Sequence, residues 1–160
     1  MSACAPYGRP VTAPVQDASP SEAFLKVFNP ILRFLLRSRL APLVRGFALI
    51  SFRGRRTGRP YEVVVTWHEL DGQIYVVTPA RWRANFAGGA PLRMRHSGVE
   101  VPGQGVLETD PERVADVVGR LLDRGEPPRA FALKFAAGHR LTAADVTAVN
   151  RAIVTFRPNP

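Results

Sequence analysis

Phe47-Ala48-Leu49-Ile50-Ser51-Phe52, then Arg53-Gly54-Arg55-Arg56-Thr57-Gly58-Arg59-Pro60, then Tyr61-Glu62-Val63-Val64-Val65-Thr66-Trp67, is the stretch on which the fold turns. Two apolar runs of strand length flank a tight turn of arginines and glycines, the pattern of a β-hairpin. A second turn at Asp71-Gly72 leads into a third strand, Gln73 to Thr78. The stretch closes with Arg81-Trp82-Arg83-Ala84-Asn85-Phe86 and a break at Gly88-Gly89. A glycine-rich turn of this composition offers backbone N–H groups and guanidinium forks to an anion. The plainer alternative is a solvated basic hairpin tip.

Outward from the hairpin, the strands continue. Ile74, Val76 and Thr78 alternate with Tyr75 and Val77, whereas Val63-Val64-Val65 is apolar on both faces, which suits a strand covered on both sides. Leu92, Met94 and His96 alternate with Arg93 and Arg95, giving one apolar and one basic face. Ser97-Gly98 predicts a turn, Val99-Glu100-Val101 the next strand, and Pro102-Gly103 a bulge or bend before Gly105-Val106-Leu107-Glu108. Short strands this closely spaced predict an antiparallel meander rather than βαβ units.

Helical patterns lie on either side. Ser21 to Leu40 reads as two short helices broken at Asn29-Pro30, the second with Ile31, Leu32, Leu35 and Leu36 on one face and Arg33 and Arg37 on another. Such a helix packs its apolar face on the domain or lies on an anionic membrane, and packing is the simpler reading. Thr109 and Glu112 have capping-box spacing before a stripe of Val114, Val117, Val118, Leu121 and Leu122. Pro127-Pro128 predicts a further helix through Lys134 closed by Gly138, and Thr142 the cap of a short third one. Arg151 to Phe156 reads as a last strand. The expected fold class is α+β, mostly antiparallel: a split β-barrel domain over residues 21–160 with helices packed across its ends. Residues 1–20, with Pro6, Pro10, Pro14 and Pro20 and no periodicity, read as a flexible tail.

Composition narrows the function. A chain of 160 residues is long enough for one well-filled core. Its excess of +9 sits in one stretch: nine basic and no acidic residues from Lys26 to Arg59. Arginine is the better residue for bidentate pairing with phosphate or carboxylate, so an anionic small molecule, a membrane surface or nucleic acid are the candidate partners. Nucleic acid is the least favoured, because aromatic residues are not interleaved on one exposed strand as stacking platforms. The single cysteine, Cys4, gives neither a disulfide framework nor a thiolate metal site. The N-terminus has no apolar leader pattern, and the expected location is cytoplasmic, peripheral at the inner membrane face if residues 21–40 reach lipid.

No catalytic constellation stands out. His68, His96 and His139 lack metal-ligand spacing, and no nucleophile elbow, Walker loop or Rossmann fingerprint occurs. An enzyme of this composition would borrow its chemistry from a cofactor.

Gly54-Arg55-Arg56-Thr57-Gly58-Arg59, a strand, and Trp82-x-x-Asn85-Phe86 before Gly-Gly resemble the deazaflavin-dependent nitroreductase and quinone reductase family. The resemblance extends from about Phe28 to the closing Ile153 to Pro158. It implies a split β-barrel and an F-420-dependent reductase that passes hydride from the reduced coenzyme to a quinone-like or other electron-poor small hydrophobic molecule. It further implies that Arg55, Arg56, Thr57, Gly58 and Arg59 hold the coenzyme's phosphate or acidic tail, with Thr78, Trp82 and Asn85 beside the cofactor cleft. No proton donor is implied; Tyr61, Thr78 and His96 are the candidates. The segment Thr78-Pro79-Ala80-Arg81 is shorter than the family's loop, Val64 stands where a proline is usual, and the tyrosine-rich cover is replaced by Phe131, Phe135 and His139. The alternative is a non-catalytic split barrel that binds flavin mononucleotide (FMN), haem or a lipid.

Overall fold

Alternation along the strands decides which side chains meet. In the computed structural model, which describes residues 15–160 except the side chains of 22–28, seven strands form one antiparallel, strongly curled sheet. They are β2 (Phe47–Arg53), β3 (Pro60–Thr66), β4 (His68–Leu70), β5 (Gln73–Thr78), β6 (Ala90–His96), β7 (Val99–Glu108) and β9 (Ala152–Pro158), in the order β3-β2-β6-β7-β9-β5-β4. Ala48, Ile50 and Phe52 of β2 stand opposite Val65, Val63 and Tyr61 of β3, and Ile50 and Phe52 also stand opposite Met94 and Leu92 of β6. All of these but the exposed Tyr61 join Val76, Val154 and Phe156 in the barrel core.

The curl depends on two small residues. An added Cβ at Gly105 would lie 2.6 Å from both the Phe86 ring and Leu92, and one at Gly103 would lie 2.4 Å from the Phe156 ring and the Arg157 carbonyl. The inner surface of β7 is therefore recessed where two aromatic rings press into it. The bulge expected at Pro102-Gly103 is absent: the β6–β7 register runs unbroken from Ala90 opposite Gly105 to His96 opposite Val99. Close ring packing, not a kink, is what those residues serve.

A second core lies outside the sheet. Leu70, Val77 and Ile153 pack there against Val114, Val117, Val118 and Leu121 of α2 (Pro111–Asp123) and Val146 of α3 (Ala143–Ala148). Val15 of β1 (Val15–Asp17) and Leu133 of β8 (Leu133–Phe135) complete it. At the other end, α1 (Glu22–Arg37) lies over β2, β3 and β6, where Leu49 is buried with Leu32 and Leu36. β3 and β4 are the two free edges, and Trp67 alone joins them. The barrel is split there.

Four local expectations are corrected. α1 is continuous through Pro30, because burial of Leu32 and Leu36 outweighs the one backbone bond a proline removes. The cap of α2 is Asp110, whose Oδ1 accepts the Glu112 N–H at 3.0 Å, with Pro111 at the first helical position. The helix expected from Pro127 to Lys134 is only a 3-10 turn, Pro128–Phe131, ended by Ala132 at φ 53°. The chain then becomes β8, which pairs with β1, Asp17 opposite Leu133 and so 116 residues away, a partner invisible to local pattern. Finally, the part of the expected tail from Val15 to Asp17 is that strand; residues 1–14, including Cys4, lie outside the described residues.

Arg151 secures β1. It is buried, and its guanidinium donates to the carbonyls of Phe131, Val149 and Ala132 and to Asp17 Oδ1 at 2.8 Å. Partial burial alone would raise the Asp17 pKa, but hydrogen bonds from Arg151 and Ser19 outweigh it and hold the carboxyl at about 2. The folded value lies below the unfolded one of about 3.9, so the stabilisation is complete above that pH and fades as pH falls towards 2. Asp17 is half exposed, so solvent screening leaves about 1 kcal/mol. Urea unfolding should show Asp17→Asn less stable by that amount at pH 7 and equal to wild type near pH 2. Deletion of residues 1–20 should lower the melting temperature more than deletion of 1–14.

His68 gives a second pH dependence. It is 4 % exposed, its ring packs tilted against Phe131 at 4.5 Å, and neither ring nitrogen has a hydrogen-bond partner among the described residues. Burial depresses its pKa, and Glu126, 3.6 Å from Nδ1, opposes that only in part. Its neutral form is favoured in the fold, so stability should fall as pH drops below about 6.5. Thermal melts of His68→Phe between pH 7 and 5 should show a smaller acid loss than wild type.

Candidate functional site

The basic turn closes on itself. Gly54 N–H donates to Arg59 O and Gly58 N–H to Gly54 O, both at 2.8 Å. Arg53 Nη1 reaches Gly58 O at 3.1 Å, and Thr57 Oγ1 accepts the Arg59 N–H at 3.4 Å. Gly58 sits at φ 64°, in the left-handed region. Gly54 is buried beneath Tyr61: an added Cβ would meet that ring at 2.7 Å. The turn is thus a folded unit whose Gly58 N–H is already used internally.

What fixes the turn to the barrel is one amide. Asn85 Oδ1 accepts the backbone N–H of Arg55 at 2.8 Å, and Asn85 Nδ2 donates to Trp82 O at 2.8 Å. Arg55 Nη1 adds a bond to Ala87 O at 2.7 Å. Asn85 belongs to the 3-10 segment Arg81–Phe86, and Phe86 anchors that segment in the barrel core. Complete burial of a phenylalanine is worth about 2–3 kcal/mol, enough to hold so short a segment in place. Phe52 gathers the neighbouring rings, stacked on Tyr61 at 5.5 Å, tilted against Trp82 at 6.0 Å and edge-on to Phe86 at 5.0 Å.

The eight residues singled out from sequence therefore divide. Arg55, Asn85 and Trp82 are joined in the latch. Arg56 and Arg59 are exposed, and their guanidinium groups have no hydrogen bond or ion pair among the described residues. Thr57 and Gly58 shape the turn. Thr78 is buried at the end of β5, where its Oγ1 accepts the Ala80 N–H at 3.1 Å, and Arg83 clamps its carbonyl to Asn150. Thr78 thus supports the base of the 3-10 segment, away from the arginines.

A groove of about 940 Å³ lies beside the turn, lined by Arg53, Tyr61, Arg33, Arg93, Pro102 and Leu92 among others. None of the eight residues lines it; the turn contributes only its flanks, Arg53 and Pro60. Glu62 is its carboxylate, and it is engaged by Arg37. The basic face of β6 is partly neutralised, since Arg95 and Arg93 both pair with Glu100; their hydrogen bonds and charges lower its pKa. Of the three candidate proton donors, Tyr61 lines the groove. His96 packs on Trp67 at 4.7 Å, and Thr78 is committed to Ala80.

Sequence reasoning missed Arg151 and Asp145. Asp145 completes a capping box with Thr142 and accepts from His139 at 2.9 Å. Its signal was present, an acid three residues after a threonine. Nothing local marked Arg151. The described residues hold no group of three potential metal ligands, and no described helix is long and apolar enough to cross a membrane.

No protein-family model matches the chain, and no curated protein is significantly similar. Solved structures that it resembles include an F420-H2 dependent reductase, at 14 % identity over 71 % of this chain and 95 % of that one, with a TM-score of 0.48. A pyridoxamine 5'-phosphate oxidase-related, FMN-binding protein from Nostoc punctiforme is 12 % identical over 81 % of this chain and 78 % of that one, at 0.47. General Stress Protein 26 from Bacillus anthracis is 14 % identical over 75 % and 88 %, at 0.43. Likenesses at this level assign no ligand and no reaction.

The latch has a direct test. Asn85→Ala removes one exposed and one half-buried hydrogen bond and should cost about 0.5–1.5 kcal/mol. Asn85→Asp keeps the acceptor for Arg55 but loses the donor to Trp82. Amide exchange at Arg55 should accelerate in the alanine variant and stay slow in the aspartate variant; equal exchange in both would remove Asn85 from this role.

Proposed function

We propose that this chain is a deazaflavin-dependent oxidoreductase whose basic turn binds the anionic part of coenzyme F-420. The observation that carries the reading is the pair of unpartnered guanidinium groups, Arg56 and Arg59, on a turn held rigidly to the Trp82–Phe86 segment. A donor set made only of cations and N–H groups fits a phosphodiester and carboxylates. It does not fit a cation or a neutral polar ligand. Arg55 has committed its N–H and one guanidinium nitrogen to the latch, so the anchoring role passes chiefly to Arg56 and Arg59.

Hydride donation to a quinone-like or other electron-poor acceptor is the chemistry that reduced F-420 supplies when bound. The chain's own contribution is binding and orientation, with a latch that needs no rearrangement as ligand arrives. Tyr61 and Leu92 give a hydrophobic acceptor apolar surface along the groove, and Tyr61 is the one of the three proton-donor candidates that lines it. The scarcity of other acids or bases favours a second reading, a split barrel that binds FMN, haem or a lipid without turnover.

Fluorescence titration with oxidised F-420 and with FMN separates the two readings. Each charge-assisted bond to an anion is worth roughly 1.5–3 kcal/mol, so Arg56→Ala should weaken F-420 binding about ten- to a hundredfold. The exposed position limits the change in stability to about 0.5 kcal/mol. Arg56→Lys should restore part of the loss, and added salt should weaken binding of the wild type. An alanine variant that stays folded and binds F-420 as wild type does would overturn the anchor.

A further inference from the structure

The end of α1 and the 3-10 turn after it (Ala41–Val44) present apolar side chains that the fold leaves uncovered. Leu32 and Leu36 are buried where α1 lies over the sheet, whereas Ile31 and Phe34 are 51 % and 70 % exposed, and Leu40 and Leu43 are 48 % and 78 % exposed. Isolated exposed hydrophobics are ordinary; four within one short stretch form a patch. The stretch is also purely cationic, with no acid between Lys26 and Arg59. Arg37 is paired with Glu62, but the guanidinium groups of Arg39 and Arg45 have no partner among the described residues. The turn is not a loose end: Ala41 is buried and Trp67 Nε1 donates to Arg45 O at 3.2 Å, so the patch is held in place.

A second copy of this chain is a poor occupant. A twofold contact would set the patch against itself and bring unpaired arginines together. An anionic lipid surface satisfies both components, taking the apolar side chains at the acyl boundary and the guanidinium groups at the phosphates. We propose that this face docks in the plane of an anionic bilayer, with Phe34 and Leu43 inserted and Arg39 and Arg45 at the headgroups. The same helix lends Arg33 to the groove wall, and a helix is only about 10 Å across, so docking brings the groove near the lipid.

Co-sedimentation of the full chain tests this with vesicles of phosphatidylcholine alone and of phosphatidylcholine with phosphatidylglycerol. Binding is expected to the anionic vesicles, and to fall with salt. Arg39→Gln/Arg45→Gln should lower partitioning about fivefold per arginine. Phe34→Ser/Leu43→Ser keeps every charge, should melt as wild type does, and should lower partitioning tenfold or more. Absence of binding to anionic vesicles at low salt overturns the proposal. So does undiminished binding by the serine variant, which would leave only nonspecific attraction of a basic protein. Self-association that the serine variant abolishes, without vesicle binding, assigns the face to a second copy instead.

Discussion

Phe86 pressed onto Gly105 is the contact from which the rest of the site follows. The ring occupies space that a Cβ on β7 would take, so the sheet can curl over it and the 3-10 segment is drawn into the mouth of the half-barrel. One residue before the ring, Asn85 then has no freedom to leave the Arg55 amide. A hydrophobic anchor thereby sets the position of a polar latch, and the latch sets the position of the arginines.

This hierarchy explains why the turn can be both basic and ordered. Clustered guanidinium groups repel, and a free loop of that composition would spread. Here internal bonds at Gly54 and Gly58, the Asn85 amide and the Tyr61 ring over Gly54 hold the backbone, so repulsion acts only on side chains. Arg56 and Arg59 are the residues on which that unrelieved charge falls, and a bound anion would relieve it.

The sheet was legible because its signals are local: apolar runs of strand length bounded by turn residues mark β2 and β3, and period-two alternation marks β5 and β6, each within a residue or two. The family-like order of motifs drew attention to the turn and to Asn85 as parts of one cofactor site, but not to the bond by which Asn85 holds the turn. What stayed hidden was non-local. β1 and β8 are three-residue strands that exist only as each other's partners, and Arg151 gains its meaning from carbonyls and a carboxylate far along the chain. The groove was hidden for a related reason: its walls come from α1, β2, β3, β6 and β7, and no single stretch contains it.

The position of β9 has a consequence for how the chain can assemble. It lies between β7 and β5, so the strand formed from residues 152–158 is an interior member of the sheet. Until it is present, β7 and β5 are separate edges, and the meander from β2 to β7 has no route to close on β4. Arg151, just before it, must arrive before Asp17 has its partner, 134 residues earlier in the chain. On a ribosome the nascent segment would therefore hold its hairpins and helices as an open sheet, with apolar edges exposed, until Pro158 had emerged. Completion is late and cooperative, and the interval before it is when this protein would most need a chaperone.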